Sequence, residues 1–529
     1  MADAIPERTV LVQGDRRVTW GGLDDRAARL AGAFAAAGLT TGSKVASYLY
    51  NCNEYTEGVF ATFKARAVPV NVNYRYLEDE LVYLLENSDA EALLFHGSLG
   101  DRVAKVRDRA PGVKLWIQVD DGSPHQEFAL AYEDVIAGAE PMPRVERSGD
   151  DLYFLYTGGT TGMPKGVMWR QEDLYGVLGE SVYPLAGRTR PDTSAEAGPI
   201  AKEVVDGGFD NVHLPASPLM HGTGAFTTFQ AMFLGATVVT LTGRHFDPHE
   251  LWATVQRERV TQMAIVGDAF AKPMVRALEE AEADGNPYDL SSLRLVISSG
   301  VMWSAEVKQA LMQRGTFTCL DSLGSSEGVG FAGSVSTPGA ELKTARFTIG
   351  ANTKVFKEDG TEVAPGSGET GRLAVGGHIP VGYYKDPDKS GTTFLVIGGK
   401  RWSVPGDFAS VEADGTITLL GRGSVVINSG GEKIFPEEVE EAVKLHPDVT
   451  DCLVVGLPDD RFGQVVTAVV ELRAGADPDP DALAGSLEAL ARFKRPRHFV
   501  FAPEIVRGPN GKADYKWAKD AAAREVGTS

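Results

Sequence analysis

The 529-residue chain has little cysteine: three residues, Cys52, Cys319 and Cys452, far apart and without CxxC spacing. That excludes a disulfide framework and a zinc knuckle, and a reducing cytosol suits such usage best. Basic charge is also scarce, with 52 Lys and Arg against 72 Asp and Glu and a formal charge of -20. Non-specific nucleic-acid binding needs a basic surface and is excluded, whereas a local basic pocket for an anionic ligand is not. Nowhere do 18 apolar residues run together, so neither a transmembrane helix nor stable membrane insertion is expected. The opening MADAIPERTV lacks the basic start and apolar stretch of a secretory leader. No spaced His/Cys cluster signals a transition metal. Glycine, by contrast, is plentiful, with 60 residues, which suggests tight turns and close backbone approaches. Length alone predicts about two to four domains.

Helical and strand patterns alternate from the start. Leu23 to Leu39 repeats apolar residues at helical spacing, and Lys44 to Tyr50 reads as a buried strand. EYTEGVFATFKARA and LEDELVYLLENS read as further helices, with VPVNVN and ALLF as further strands. Such alternation implies a parallel sheet covered by helices. Leu152 to Tyr156 is another strand, running into a Gly/Thr-rich loop. Residues 187–211, polar and rich in Gly, Pro and Asp, read as a long loop or insertion. Alternation resumes from Thr237 to Ala332; Lys343 to Leu420 then reads as a small β subdomain of short strands and turns. Beyond a boundary near 421–424, PEEVEEAVKLHP and DALAGSLEALARF read as helices, and CLVVGLP and TAVVEL as strands.

The sharpest segment is Tyr156-Thr-Gly-Gly-Thr-Thr-Gly-Met-Pro-Lys-Gly166. Hydroxyls, glycine amides and one ammonium are the groups that hold polyphosphate. It is not a Walker A loop, because Pro164 precedes Lys165 and Gly166 follows it. The string resembles the phosphate loop of the adenylate-forming (ANL) enzymes: acyl-CoA synthetases, firefly luciferase and peptide-synthetase adenylation domains. The resemblance holds in order along the chain. His221 lies in SPLMHGTG, Ser326 and Glu327 in LGSSEG, Asp407 in VPGD, Arg422 in GRGSVVINSGGEKIFPEEVE and Lys512 in PNGKAD. The hinge segment, VMWRQEDLY and NVNYRY are most similar to actinobacterial FadD-type acyl-CoA synthetases, some acting on fatty acids and others on steroid side chains.

The resemblance implies an α/β, ANL-type fold. Residues 1–421 would form a large N-terminal domain of two β/α subdomains plus a small β subdomain. Residues 422–424 would be a hinge, and 425–529 a small mobile α+β C-terminal domain. It implies two half-reactions with ATP, Mg²⁺ and CoA: a carboxylate attacks the α-phosphate, then a thiol displaces AMP. Thr157, Gly158, Gly159, Thr160, Thr161 and Lys165 would hold phosphates, with Glu327 and Thr157 on the metal, a hard cation suited to oxygen ligands. Ser326 would bond the α-phosphate, and Asp407 and Arg422 the ribose. Gly300, Val301, Asp321, Leu323 and Gly324 would flank the nucleotide. His221 would position the acyl carboxylate, and Lys512 would stabilise the charge built up between carboxylate and phosphate. Ser424, Gly430, Gly431 and Lys433 would serve the hinge and CoA. Phe226, Met302 and Val329, with Met220, Val301 and Phe331, would line an apolar acyl channel.

Three positions depart from the pattern. Leu323 replaces an adenine-stacking aromatic residue, Ser424 the usual Asp or Lys pivot, and Asn428 a Lys of the second half-reaction. The leading expectation is a cytoplasmic acyl-CoA synthetase for a fatty or steroid side-chain acid. A fatty acyl-AMP ligase loading a carrier protein and a non-catalytic nucleotide-binding protein are the competing expectations. Amino-acid activation is disfavoured, because Ile265 to Asp268 (IVGD) holds no evident anchoring Asp of that type. A homodimer is carried as an expectation on assembly.

Overall fold

In the computed structural model, the described residues are 1–159, 162–339, 345–429, 432–459, 462–488, 490–507 and 512–527. The chain forms two compact units. One comprises 1–344 with 375–403, the other 345–374 with 404–529. Among the described residues, no helix is long and apolar enough to cross a membrane.

The first unit holds two sheets. In one, the parallel strands Lys44–Tyr48, Val68–Asn71, Ala90–His96 and Leu115–Val119 alternate with helices. The helix Asn53–Lys64 follows the first strand, and Glu78–Ser88 follows the second. Apolar side chains cover both faces: Leu30, Phe34 and Val59 on one, Leu81, Leu84 and Val103 on the other. The sheet continues through Leu152–Gly159, parallel to Val68–Asn71, into its antiparallel partner Gly162–Arg170. The second sheet carries the parallel strands Val212–Pro215, Thr237–Thr240, Gln262–Ile265, Leu295–Ser299 and Thr318–Ser325. The antiparallel strand Gly328–Ser336 follows them.

The second unit begins with short antiparallel strands. Asp407–Val411 pairs with Ile417–Arg422, and Thr370–Val375 pairs with Asp407–Val411. It ends in a five-stranded sheet whose main ladder is Val449–Asp459 against Gly463–Leu472. The helix Pro436–Lys444 buries Val439 and Val443 in that sheet's core. This is the α/β architecture that the motifs imply.

Two readings need correction. The stretch 187–211 is not a plain loop: Ser194–Asp206 is a helix that buries Gly198, Ala201 and Val204. Val204 packs with Val182, Tyr183 and Leu234. Pro199 masked the periodicity, although a helix can tolerate losing one internal hydrogen bond when a buried face anchors it. Conversely, the helix expected over DALAGSLEALARF stops at Ser486. The Arg495 guanidinium bonds the carbonyls of Glu488 and Leu490.

Candidate active site

Two hairpins present the phosphate-loop and Ser-Glu groups of the first unit. In the phosphate hairpin, Tyr156 pairs with Gly166 and Thr157 with Lys165. Thr160 and Thr161 lie outside the described residues. A Cβ on Gly166 would sit 2.6 Å from the Tyr156 ring, so glycine is required there. In the second hairpin, Ser325 pairs with Gly328, leaving Ser326 and Glu327 as the two turn residues.

Several side chains fix these turns. Trp169 Nε1 donates to the Ser326 carbonyl at 3.0 Å, Ser403 Oγ to the Glu327 carbonyl at 2.5 Å, and Tyr383 Oη to Glu327 Oε1 at 2.8 Å. Lys165 Nζ reaches Asp386 Oδ2 at 2.5 Å and lies 5.9 Å from the centre of the Tyr383 ring. The hydrogen bond from Lys165 is the main influence holding the Asp386 carboxyl below its usual range. Lys165 and Glu327 therefore converge on Tyr383. Tyr383, Asp386, Ser403 and Trp169 were not singled out from sequence, although Trp169 lies in VMWRQEDLY and Tyr383 and Asp386 in the compact GYYKDP string.

His221 precedes the helix Gly222–Phe233, and its backbone N–H bonds the Pro218 carbonyl at 3.0 Å. A Cβ on Gly224 would lie 2.4 Å from the Pro218 carbonyl oxygen. Gly224→Ala should therefore displace the 218–221 turn, lowering stability by about 1–3 kcal/mol. Thermal unfolding checks the effect.

The SSGVMW turn docks on the start of the helix Gly267–Ala283. Gly267 N donates to Ser298 Oγ at 2.9 Å and Asp268 N to the Met302 carbonyl at 3.0 Å. Gly300 has a φ of +95°, which favours glycine. Asp321 is 5% exposed and pairs with buried Lys308 at 3.3 Å. Burial pushes its carboxyl up to about 6, against the pull of Lys308. Asp321 thus lies in the core, within the strand Thr318–Ser325 that leads into the Ser326-Glu327 turn. Leu323 pairs with Ala332, and Gly324 follows it in the same strand. Phe226, 6% exposed, packs between Tyr153 and Trp169, with ring centroids 6.4 and 6.2 Å away. Met220 and Phe331 are buried; Val301, Met302 and Val329 are half-buried.

In the second unit, strand register sets Asp407 opposite Arg422. Gly423 N bonds the Gly406 carbonyl at 2.9 Å, tying residues 422–424 to the VPGD turn. Ser424 lies in the 3-10 turn Gly423–Val425. Asn428 pairs with Lys433 in a short hairpin whose Gly430 and Gly431 lie outside the described residues. Asn428 N also bonds Gln464 Oε1 at 2.8 Å.

Lys512 stands beside the isolated bridge Arg507↔Ala513, next to Asp514, which caps the helix Tyr515–Val526. Arg507 grips Asp451 through two bonds of 2.7 Å. Burial raises the Asp451 pKa, but the bond from Arg507 and its charge reverse that and hold the carboxyl below its usual range. A depressed carboxyl stabilises the fold fully above its unfolded value of about 4, and the gain is lost as pH falls through the folded value. Arg507→Met should cost about 1–3 kcal/mol of stability at neutral pH. At pH 3 the stability gap to the parent should narrow; equal gaps at both pH values would contradict the pair's role.

Among the described residues no group of three or more His, Cys, Asp and Glu could hold a metal.

The chain belongs to the AMP-binding enzyme family, which matches residues 2–384, and the AMP-binding enzyme C-terminal domain matches 438–512. It is 44% identical to a 3-oxocholest-4-en-26-oate–CoA ligase of Rhodococcus rhodochrous, over 98% of this chain and 94% of that one. Identity is also 44% to a medium/long-chain-fatty-acid–CoA/3-oxocholest-4-en-26-oate–CoA ligase of Mycolicibacterium smegmatis, over 98% and 94%. In fold it is similar to an anthranilate CoA ligase bound to anthranoyl-AMP, with TM-score 0.83, 22% identity and coverage of 99% and 96%.

Proposed function

We propose that the chain is an ATP-dependent acyl-CoA synthetase acting in the cytoplasm on an apolar carboxylic acid, either a fatty acid or a steroid side-chain acid. The carrying observation is the convergence of Lys165 and Glu327 on Tyr383. Tyr383 thereby links a cation suited to phosphate with a hard oxygen ligand of the kind Mg²⁺ takes. The full-length relatives support the choice of CoA as acceptor and of an apolar acid.

In the first half-reaction a carboxylate oxygen of the acid bonds to the α-phosphorus, and the bond to the β-phosphate oxygen breaks. Pyrophosphate leaves. Thr157, Thr160, Thr161, Lys165 and the loop amides of Gly158 and Gly159 hold the phosphates. Ser326 bonds the α-phosphate, and Asp407 accepts from the ribose hydroxyls beside Arg422. Glu327, with Thr157, would hold Mg²⁺, which neutralises phosphate charge when bound. His221 orients the acid, while Lys512 offsets the repulsion between carboxylate and phosphate. In the second half-reaction the CoA thiol sulfur bonds to the acyl carbon, the acyl carbon–oxygen bond breaks, AMP leaves and the thiol proton is released to solvent. Residues 422–424 would act as the hinge between the two steps, with Gly430, Gly431 and Lys433 serving CoA. Phe226, Met302 and Val329 line the acyl channel.

Phosphorus NMR of the spent nucleotide tests this reading. AMP and pyrophosphate should appear in equal amounts, only when an apolar acid is present. ADP and orthophosphate as the products would overturn it.

A further inference from the structure

One buried side chain ties the two halves of the adenylation site together. Asn71 ends the strand Val68–Asn71 and is 5% exposed. Its Oδ1 accepts from the Tyr156 N–H at 2.6 Å. Its Nδ2 donates to the Tyr156 carbonyl at 2.9 Å and to the Met220 carbonyl at 2.6 Å. The carboxamide thus pairs with Tyr156 as a strand backbone would, and spends its second N–H on the residue before His221. Tyr156 adjoins Thr157, where the phosphate loop begins. One rigid three-atom group therefore spans the phosphate hairpin and the His221 turn.

A second carboxamide holds the far end of that turn. Asn51 Nδ2 donates to the carbonyls of Pro215 and Ser217 at 3.2 and 3.1 Å, and Leu219 N donates to Asn51 Oδ1 at 2.7 Å. With 215–219 pinned there, Asn71 sets where 220–221 lies relative to the phosphate loop.

We infer that Asn71 is a positioning residue for adenylation, fixing the distance between the group that orients the acid and the groups that hold the ATP phosphates. This rests on the proposed function. In-line attack needs the carboxylate and α-phosphorus within about 3–3.5 Å, and a misplacement of about 1 Å can cost on the order of 10²-fold. The second half-reaction needs no phosphate loop, because pyrophosphate has left.

The test separates the two steps. Asn71→Ala should lower adenylation kcat/KM by about 10²-fold, whereas preformed acyl-AMP and CoA should give acyl-CoA at nearly the parent rate. Asn71→Asp adds a readout that a merely structural role would not move. Its ionised carboxylate can accept from Tyr156 but would face two carbonyl oxygens, whereas its protonated form can donate to one of them. Adenylation by Asn71→Asp should therefore recover as pH falls towards 5, relative to the parent at each pH. Equal losses in both half-reactions, an unchanged adenylation rate, or a flat relative pH profile would overturn the inference. If Asn71→Ala does not fold, the Asn71→Asp profile decides. Failure of the parent to form acyl-AMP from any acid would instead sink the functional reading.

Discussion

Lys512→Ala is expected to lower acyl-adenylate formation by about 10²–10³-fold, the usual consequence of removing one preorganised donor from a transition state. ATP binding should stay near the parent value, because the phosphate-loop and ribose groups are untouched. Thioester formation from preformed acyl-AMP should also survive, since the charge that Lys512 is proposed to offset exists only while the carboxylate approaches the phosphate. The variant should fold, because Asp514 still caps the following helix and Arg507 still holds Asp451. Single-turnover pyrophosphate release, with nucleotide binding measured in parallel, checks the claim. Near-normal release would remove Lys512 from the mechanism.

Glu327→Gln should have the next largest effect. The amide keeps an oxygen for the Tyr383 hydroxyl and keeps the turn that Trp169 and Ser403 hold by its backbone. What is lost is a negative oxygen ligand. Metal stabilisation of developing charge is worth several kcal/mol, so adenylation should fall by about 10²-fold and half-saturation should move to higher Mg²⁺. Tyr383→Phe, which keeps the carboxylate, should fall far less. A Glu327→Gln enzyme with parental Mg²⁺ dependence would contradict the assignment.

The groups named from sequence are those whose chemistry is written locally. TGGTTGMPKG shows its donors in one string, and two antiparallel strands set Thr157 opposite Lys165. Alternating periodicity likewise sufficed for the two helix-covered sheets. The missed groups act on partners far away in sequence. Asn71 bonds Tyr156 and Met220, and Tyr383 reaches Glu327. In VPVNVN and GYYKDP each reads as an ordinary strand or turn residue, because its partner is set by tertiary packing. The partner of Asp321 was likewise not legible: its ion pair with buried Lys308 is set by packing. The helix Ser194–Asp206 was hidden by Pro199 and polar flanks, and its anchor, Val204, is defined only by the pocket that receives it.

The most direct test of the central claim is mass spectrometry of the products formed from ATP and a panel of acids, with and without CoA. The panel should span octanoate to oleate, a cholesterol side-chain acid, cinnamate and several amino acids. The account predicts acyl-CoA from at least one fatty or steroid side-chain acid, with acyl-AMP appearing when CoA is withheld. Acyl-AMP that accumulates and ignores CoA, or activation of amino acids alone, would contradict it.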